Sequence, residues 1–294
     1  MAALKMEGFV KASPECILCM FKQGLNTVRL VTDDPEIHQR VLVKIAKMVE
    51  GISLDTSPAA LSTPVYRIVS EVTGVDDPYE AVKAETNREA LALLPELENM
   101  IARTENPLEM SLYLAAAGNV IDLGIGHSYD LIKDIQAVRE QGFALYDFED
   151  FRRELKAGVR ILYLGDNSGE IVFDRLFVER LLQAGAEVVY SVKSGPIIND
   201  AMMKDARDTG MTGLVTVIET GVADIGVNME QSSPGFKEAY QSADVIISKG
   251  HGNFETCVSN SENIYFLLKA KCPVVARELG VSEGGMVFKR NVRQ

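Results

Sequence analysis

Val159-Arg160-Ile161-Leu162-Tyr163-Leu164 is a short run of strand-forming residues that breaks at Gly165-Asp166-Asn167-Ser168-Gly169-Glu170, after which a helical pattern runs through Val172, Leu176 and Leu181 to Gly185. Strand, glycine-punctuated turn and helix in this order make half of a βαβ unit. The alternation continues. Glu187 to Val192, Leu214 to Ile218, Val245 to Ser248 and Pro273 to Ala276 are further apolar runs, with helix-length segments between most of them. They predict an α/β unit whose mostly parallel sheet is covered on both faces.

Upstream the period changes. Ser13-Pro14-Glu15 supplies an N-cap, a proline for the first helical position and an early acid, and Ile17, Met20, Phe21, Leu25 and Val28 recur at helical spacing. Ile37, Val41, Ile45 and Met48 repeat the pattern, Ser57-Pro58 and Thr63-Pro64 each predict a fresh helix start, and Asn106-Pro107 opens a helix running into Ala115-Ala116-Ala117. No alternating strand stands out before residue 155. The reading is two domains, a helical one over 1–155 and an α/β one over 156–294.

With 294 residues, 47% hydrophobic and 24% charged, the chain has the balance of a globular protein and is too long for a disulfide-stapled module. Thirty basic against 42 acidic residues leave a net charge of −12, which repels nucleic acid and anionic membranes. Neither a signal-peptide run over Met1 to Ser13 nor an apolar stretch of the ~20 residues needed to span a bilayer is found, so a cytoplasmic protein is expected. In a reducing compartment the four cysteines are better thiols or metal ligands than disulfides.

In open α/β sheets ligands bind outside the carboxyl ends of the strands. Three of those ends carry chemistry: Gly165 to Glu170, Lys193 to Asp200, and Lys249-Gly250-His251-Gly252-Asn253-Phe254-Glu255. Asp166, Asn167 and Asp200 offer two carboxylates and an amide oxygen, a hard donor set that suits Mg²⁺ or Mn²⁺ better than zinc. Lys249 adds a positive charge for a phosphate, and the helix that opens near Gly169 offers N–H groups to an anion. The plainer reading is that Asp166 and Asn167 only cap that helix. Neither a G-x-x-x-x-G-K-[ST] loop nor a G-x-G-x-x-G fingerprint is present, which counts against NTP-driven motors and NAD enzymes. The glycine loop leaves open a methyltransferase with an S-adenosylmethionine-type cofactor, and a non-catalytic phosphometabolite-binding protein is the alternative from outside enzymology.

Taken together, Gly165-Asp166-Asn167-Ser168-Gly169-Glu170, Ile198-Asn199-Asp200, Lys249-Gly250 with Asn253 and Glu255, and Ala117-Gly118-Asn119-Val120-Ile121-Asp122 resemble the damage-control phosphatases, the ARMT-like or DUF89 family, over nearly the whole chain. The pair Cys16 and Cys19 resembles its prokaryotic branch. The resemblance implies a helical portion packed on a Rossmann-like α/β/α core, and metal-dependent hydrolysis of small phosphorylated metabolites such as sugar phosphates with Mn²⁺, Mg²⁺, Co²⁺ or Ni²⁺. It implies that Asp166, Asn167 and Asp200 hold the metal and that Lys249 faces the phosphate. Asp166, Asp200 and Lys249 are thus the candidate catalytic residues. Asn119, Asp122, Ser168, Gly169, Glu170, Asn253 and Glu255, with Lys249, are the candidate substrate contacts. Asp166 and a water are both eligible nucleophiles. Asn119 and Asp122, three apart, either share a helix face turned to the crevice or mark a helix end at Gly118 and Gly124. Cys16-x-x-Cys19, with Cys257 and Cys272, makes either a second metal or redox site or a set of buried thiols. His127 and His251 are assigned no catalytic role.

Overall fold

The computed structural model describes residues 9–118, 135, 138–258 and 260–291. Five helices lead the described chain: α1 (Pro14–Arg29), α2 (Pro35–Val49), α3 (Pro58–Thr73), α4 (Glu80–Ala102) and α5 (Pro107–Gly118). Their starts follow the cap-and-proline logic: Asp34 accepts the Glu36 N–H at 2.8 Å and Ser57 that of Ala60 at 3.1 Å, each followed by proline at the first helical position. Thr63-Pro64, expected to start a helix, lies inside α3 instead. The Thr63 hydroxyl donates to the Ala59 carbonyl at 3.0 Å, and Pro64, having no N–H, removes the helical bond that the Ala60 carbonyl would otherwise accept.

The rest of the described chain alternates: β1 (Phe143–Tyr146), α6 (Phe148–Glu154), β2 (Arg160–Leu164), α7 (Glu170–Gln183), β3 (Glu187–Val192), α8 (Met203–Asp208), β4 (Thr216–Glu219), α9 (Pro234–Ser242), β5 (Val245–Lys249), α10 (Gly250–Cys257), β6 (Ile264–Lys269), α11 (Pro273–Leu279) and β7 (Met286–Arg290). They form a sheet of order β1-β7-β6-β5-β2-β3-β4. From β6 to β4 all neighbours are parallel, while β7 runs antiparallel to β6 and pairs in parallel with β1. The expected mostly parallel α/β sheet is therefore present, with two differences. Pro273 to Ala276, read as a strand, is the start of α11: Cys272 sits at the cap with its Sγ 3.5 Å from the Val275 N–H, and Pro273 occupies the first helical position. The strand there is Ile264–Lys269, and β1 lies inside the stretch read as wholly helical.

Strand alternation divides the core. Ile161, Tyr163, Val188, Tyr190, Val245 and Ile247 face α4, α5 and α7, in one continuous cluster that joins the helical half to the sheet. Leu162, Leu164, Ile246 and Phe266 face the other way, onto Phe236, Phe254 and Val275 of α9, α10 and α11. A smaller cluster holds α1, α2 and α3 together around Met20, Val41, Ile45 and Val65. Strand β2 has β3 on one side and β5 on the other, so the chain leaves β2 and β5 in opposite directions and opens a crevice at their carboxyl ends.

Candidate active site

The residues just beyond β2 and β3 are zipped together by backbone bonds. Ala201 N–H donates to the Asp166 carbonyl at 2.8 Å, Ser168 N–H to the Asn199 carbonyl at 2.8 Å, and Lys193 N–H to the Ala201 carbonyl at 2.9 Å. This pairing sets Asp166 and Asn167 against Asp200 although 33 or more positions separate them in the chain. Ile198 adopts φ of 46°, a left-handed conformation costly for a β-branched residue, in the turn that delivers Asn199 and Asp200.

Asp166, Asn167 and Asp200 line one cavity of about 580 Å³. Glu255, His251, Lys22, Lys271 and the three cysteines Cys16, Cys19 and Cys272 also border it. The Asn167 Nδ2 donates to Asp166 Oδ2 at 3.0 Å and to Glu170 Oε1 at 2.7 Å, which leaves Oδ1 as its free ligand atom. Burial, reinforced by Glu170 and Asp200, pushes the Asp166 carboxyl well above its ordinary range. Burial also raises Asp200 to about 6, even with Lys193 Nζ 3.6 Å from its Oδ2. Burial alone pushes Glu255 up to about 8. The site thus gathers more acids than cations. Lys193 also donates to the Gly226 carbonyl, and Lys83 is paired with Asp77. Two carboxylates and an amide in surplus negative charge fit a hard divalent cation, although among the described residues no three His, Cys, Asp or Glu side chains converge as a finished cage.

The other candidates are dispersed. Lys249 is wholly buried on the far side of the loop, its Nζ 2.6 Å from Asp174 Oδ1, 3.2 Å from Glu170 Oε2 and 3.0 Å from the Ala115 carbonyl. Glu170 sits between that ammonium and Asn167. Ser168 and Gly169 are buried, and their N–H groups are spent on the Asn199 carbonyl and on Asn87 Oδ1, so neither of these two N–H groups is open to an anion. Asn253 Nδ2 braces the crevice by donating to the Gly165 and Lys249 carbonyls at 3.1 and 2.9 Å. His251 Nε2 lies 2.7 Å from the Lys269 carbonyl and 2.8 Å from the Lys271 N–H, the tautomer deciding which of the two it bonds, and burial lowers its pKa to about 4. Cys257 is buried elsewhere, beside Thr256 and Tyr240. Asn119, Asp122 and His127 lie outside the described residues.

Lys271, exposed at the cavity and close enough to favour the Asp166 carboxylate, has no counterpart in the sequence reading. It comes just after β6, the strand that reading did not find, and the strand-end rule applied there would have named it.

A crevice at a strand-order reversal, lined by two acids and an amide from adjacent strand ends, is the place where open α/β sheets bind their ligands. The chain belongs to the damage-control phosphatase family: the profile of the Damage-control phosphatase ARMT1-like domain matches residues 12–287. A damage-control phosphatase of Pyrococcus horikoshii is 36% identical over 286 residues, 96% of this chain and 99% of that protein. One from Archaeoglobus fulgidus is 34% identical over 95% of this chain and 99% of its own length. The crystal structure of a DUF89 family protein from Pyrococcus horikoshii matches with a TM-score of 0.89 at 35% identity, over 96% of this chain and 99% of that one.

Gly250 exposes a dependence of this geometry on a single missing side chain. Its φ is +76°, and a Cβ there would overlap the Asp166 carboxylate. Gly250→Ala is expected to lower phosphatase turnover at least tenfold, because the carboxylate must move, and to cost about 1–2 kcal/mol from the left-handed backbone. Parallel melting curves and phosphate-release assays check this, and wild-type turnover in the variant would show that Asp166 need not hold its position.

Proposed function

We propose that the protein is a divalent-metal-dependent phosphomonoester hydrolase acting on small phosphorylated metabolites such as sugar phosphates, and that Asp166, Asn167 and Asp200 hold the cation. The observation that carries this reading is the meeting of those three side chains in one cavity whose walls carry more carboxylates than ammonium groups. When bound, the cation supplies Lewis-acid polarisation of the phosphoryl group. Asn167 presents its amide oxygen because Asp166 and Glu170 take its N–H bonds. Lys22 and Lys271 stand at the cavity as ammonium groups for a dianionic ester. Glu255, whose carboxyl burial raises to about 8, lines the same cavity and in its protonated form would donate to a substrate oxygen. Lys249 acts one layer back, fixing Glu170 and through it Asn167. The four free thiols are in keeping with a cytoplasmic site of action.

The test is phosphate release from a panel of sugar phosphates and an aryl phosphate by chelator-stripped protein, before and after addition of Mn²⁺, Mg²⁺, Co²⁺ or Ni²⁺. Activity is expected only with metal restored. Stoichiometric metal binding with no release from any ester would end the hydrolase reading, and full activity without metal would end the assignment of the trio.

A further inference from the structure

We propose that Asn87, two turns into α4, is a positioning residue that clamps the two cation-bearing loops to each other. Its side chain is buried, with only 4% of the residue exposed. Oδ1 accepts the Gly169 N–H at 2.7 Å, and Nδ2 donates to Asp205 Oδ1 at 2.7 Å. Asp205, itself 4% exposed, uses Oδ2 to accept the Met202 N–H at 2.8 Å. One amide therefore spans from a residue two places after Asn167 to a carboxylate that fixes the backbone two places after Asp200. The backbone zipper joins the loops on the cavity side, and Asn87 joins them again from the helical half. This inference rests on the reading of Asp166, Asn167 and Asp200 as the cation's ligands.

The two jobs require one acceptor and one donor on a short planar fork, which asparagine supplies. Aspartate would face the Asp205 carboxylate with a second carboxylate. Alanine would leave a buried N–H and a buried carboxylate oxygen unpaired, the costly way to lose hydrogen bonds. The exchanged pair Asn87→Asp with Asp205→Asn restores the set: the new carboxylate accepts from Gly169 and from the new amide, whose oxygen still accepts from Met202.

The experiment is calorimetric titration of Mn²⁺ into metal-free protein, with folding checked by circular dichroism, alongside phosphate release. Asn87→Asp and Asn87→Ser are expected to weaken Mn²⁺ binding at least tenfold, and the exchanged pair to return it to within threefold of wild type. Wild-type affinity in either folded single variant overturns the proposal, as does a folded exchanged pair that stays tenfold weak. Wild-type protein that binds Mn²⁺ but cleaves no ester defeats the hydrolase reading and leaves this test standing. If wild-type protein binds no Mn²⁺, deuterium uptake by the 165–172 and 199–206 peptides decides: faster exchange in both for Asn87→Ser, reversed in the exchanged pair, supports the clamp, and unchanged exchange refutes it.

Discussion

Asp200→Asn is expected to lose metal-dependent phosphate release by about 10³-fold or more, roughly 4 kcal/mol of transition-state stabilisation, while the metal-free protein becomes more stable. The two effects have one cause. Burial raises the Asp200 carboxyl to about 6, so the folded chain resists ionising a group that ionises freely when unfolded. The penalty is absent below the unfolded value near 3.8, grows as the pH rises through the window up to 6, and is complete above it. At pH 7 to 8 the amide should thus gain up to about 3 kcal/mol, a figure that already includes the favourable Lys193 ion pair, and the gain should vanish on acidification. Mn²⁺ should raise the melting temperature of wild type and not of the variant. Denaturant titrations at pH 4 and pH 8, with and without Mn²⁺, check all three parts. A variant stabilised by Mn²⁺ like wild type would remove Asp200 from the ligand set. Asp166→Ala is expected to lose turnover to the same degree.

How much of this was legible in the sequence depended on whether local pattern or side-chain direction decided the matter. That Asp166, Asn167 and Asp200 meet at one crevice was readable because each lies beyond a strong apolar run, and the strand-end rule needs nothing more. Lys271 was hidden because Pro273-Val274-Val275-Ala276 has the composition of a strand, whereas the proline starts a helix. Ile264 to Leu268 is as apolar a run, but it passes into Lys269-Ala270-Lys271 with no glycine to mark its end. Asn87 carries no motif, and its partners lie 82 and 118 positions away, so only the packing of α4 against α7 reveals it. Lys249 is the instructive case. Its position at a strand end matched that of Asp166, but alternation in β5 puts Val245, Ile247 and Lys249 on one face, the face covered by α5 and α7. The period of two already pointed that lysine into the core.

Lys249→Met is accordingly expected to destabilise the protein by about 3–5 kcal/mol, the usual cost of breaking a buried ion pair by removing one partner. Asp174 is fully buried and holds the hydroxyls of Tyr163 and Tyr190 at 2.7 and 2.8 Å as well as the Lys249 ammonium. Glu170, one helical turn before it, shares the same ammonium. Burial alone would lower the lysine, but Asp174 and Glu170 outweigh it and hold the group charged, above its ordinary value. Methionine would take from two buried carboxylates, one turn apart, the cation that they share. Turnover should fall as well, because Glu170 orients Asn167. The double variant Lys249→Met with Asp174→Asn separates the roles: it removes one of the two buried negative charges and should recover part of the stability but little of the turnover, since Glu170 has still lost its bond to Lys249. Denaturant unfolding and phosphate release on the three proteins check this. A Lys249→Met variant with wild-type stability and an increased KM for phosphate esters would instead show an ammonium that reaches the substrate, and the buried network would then be incidental to its role.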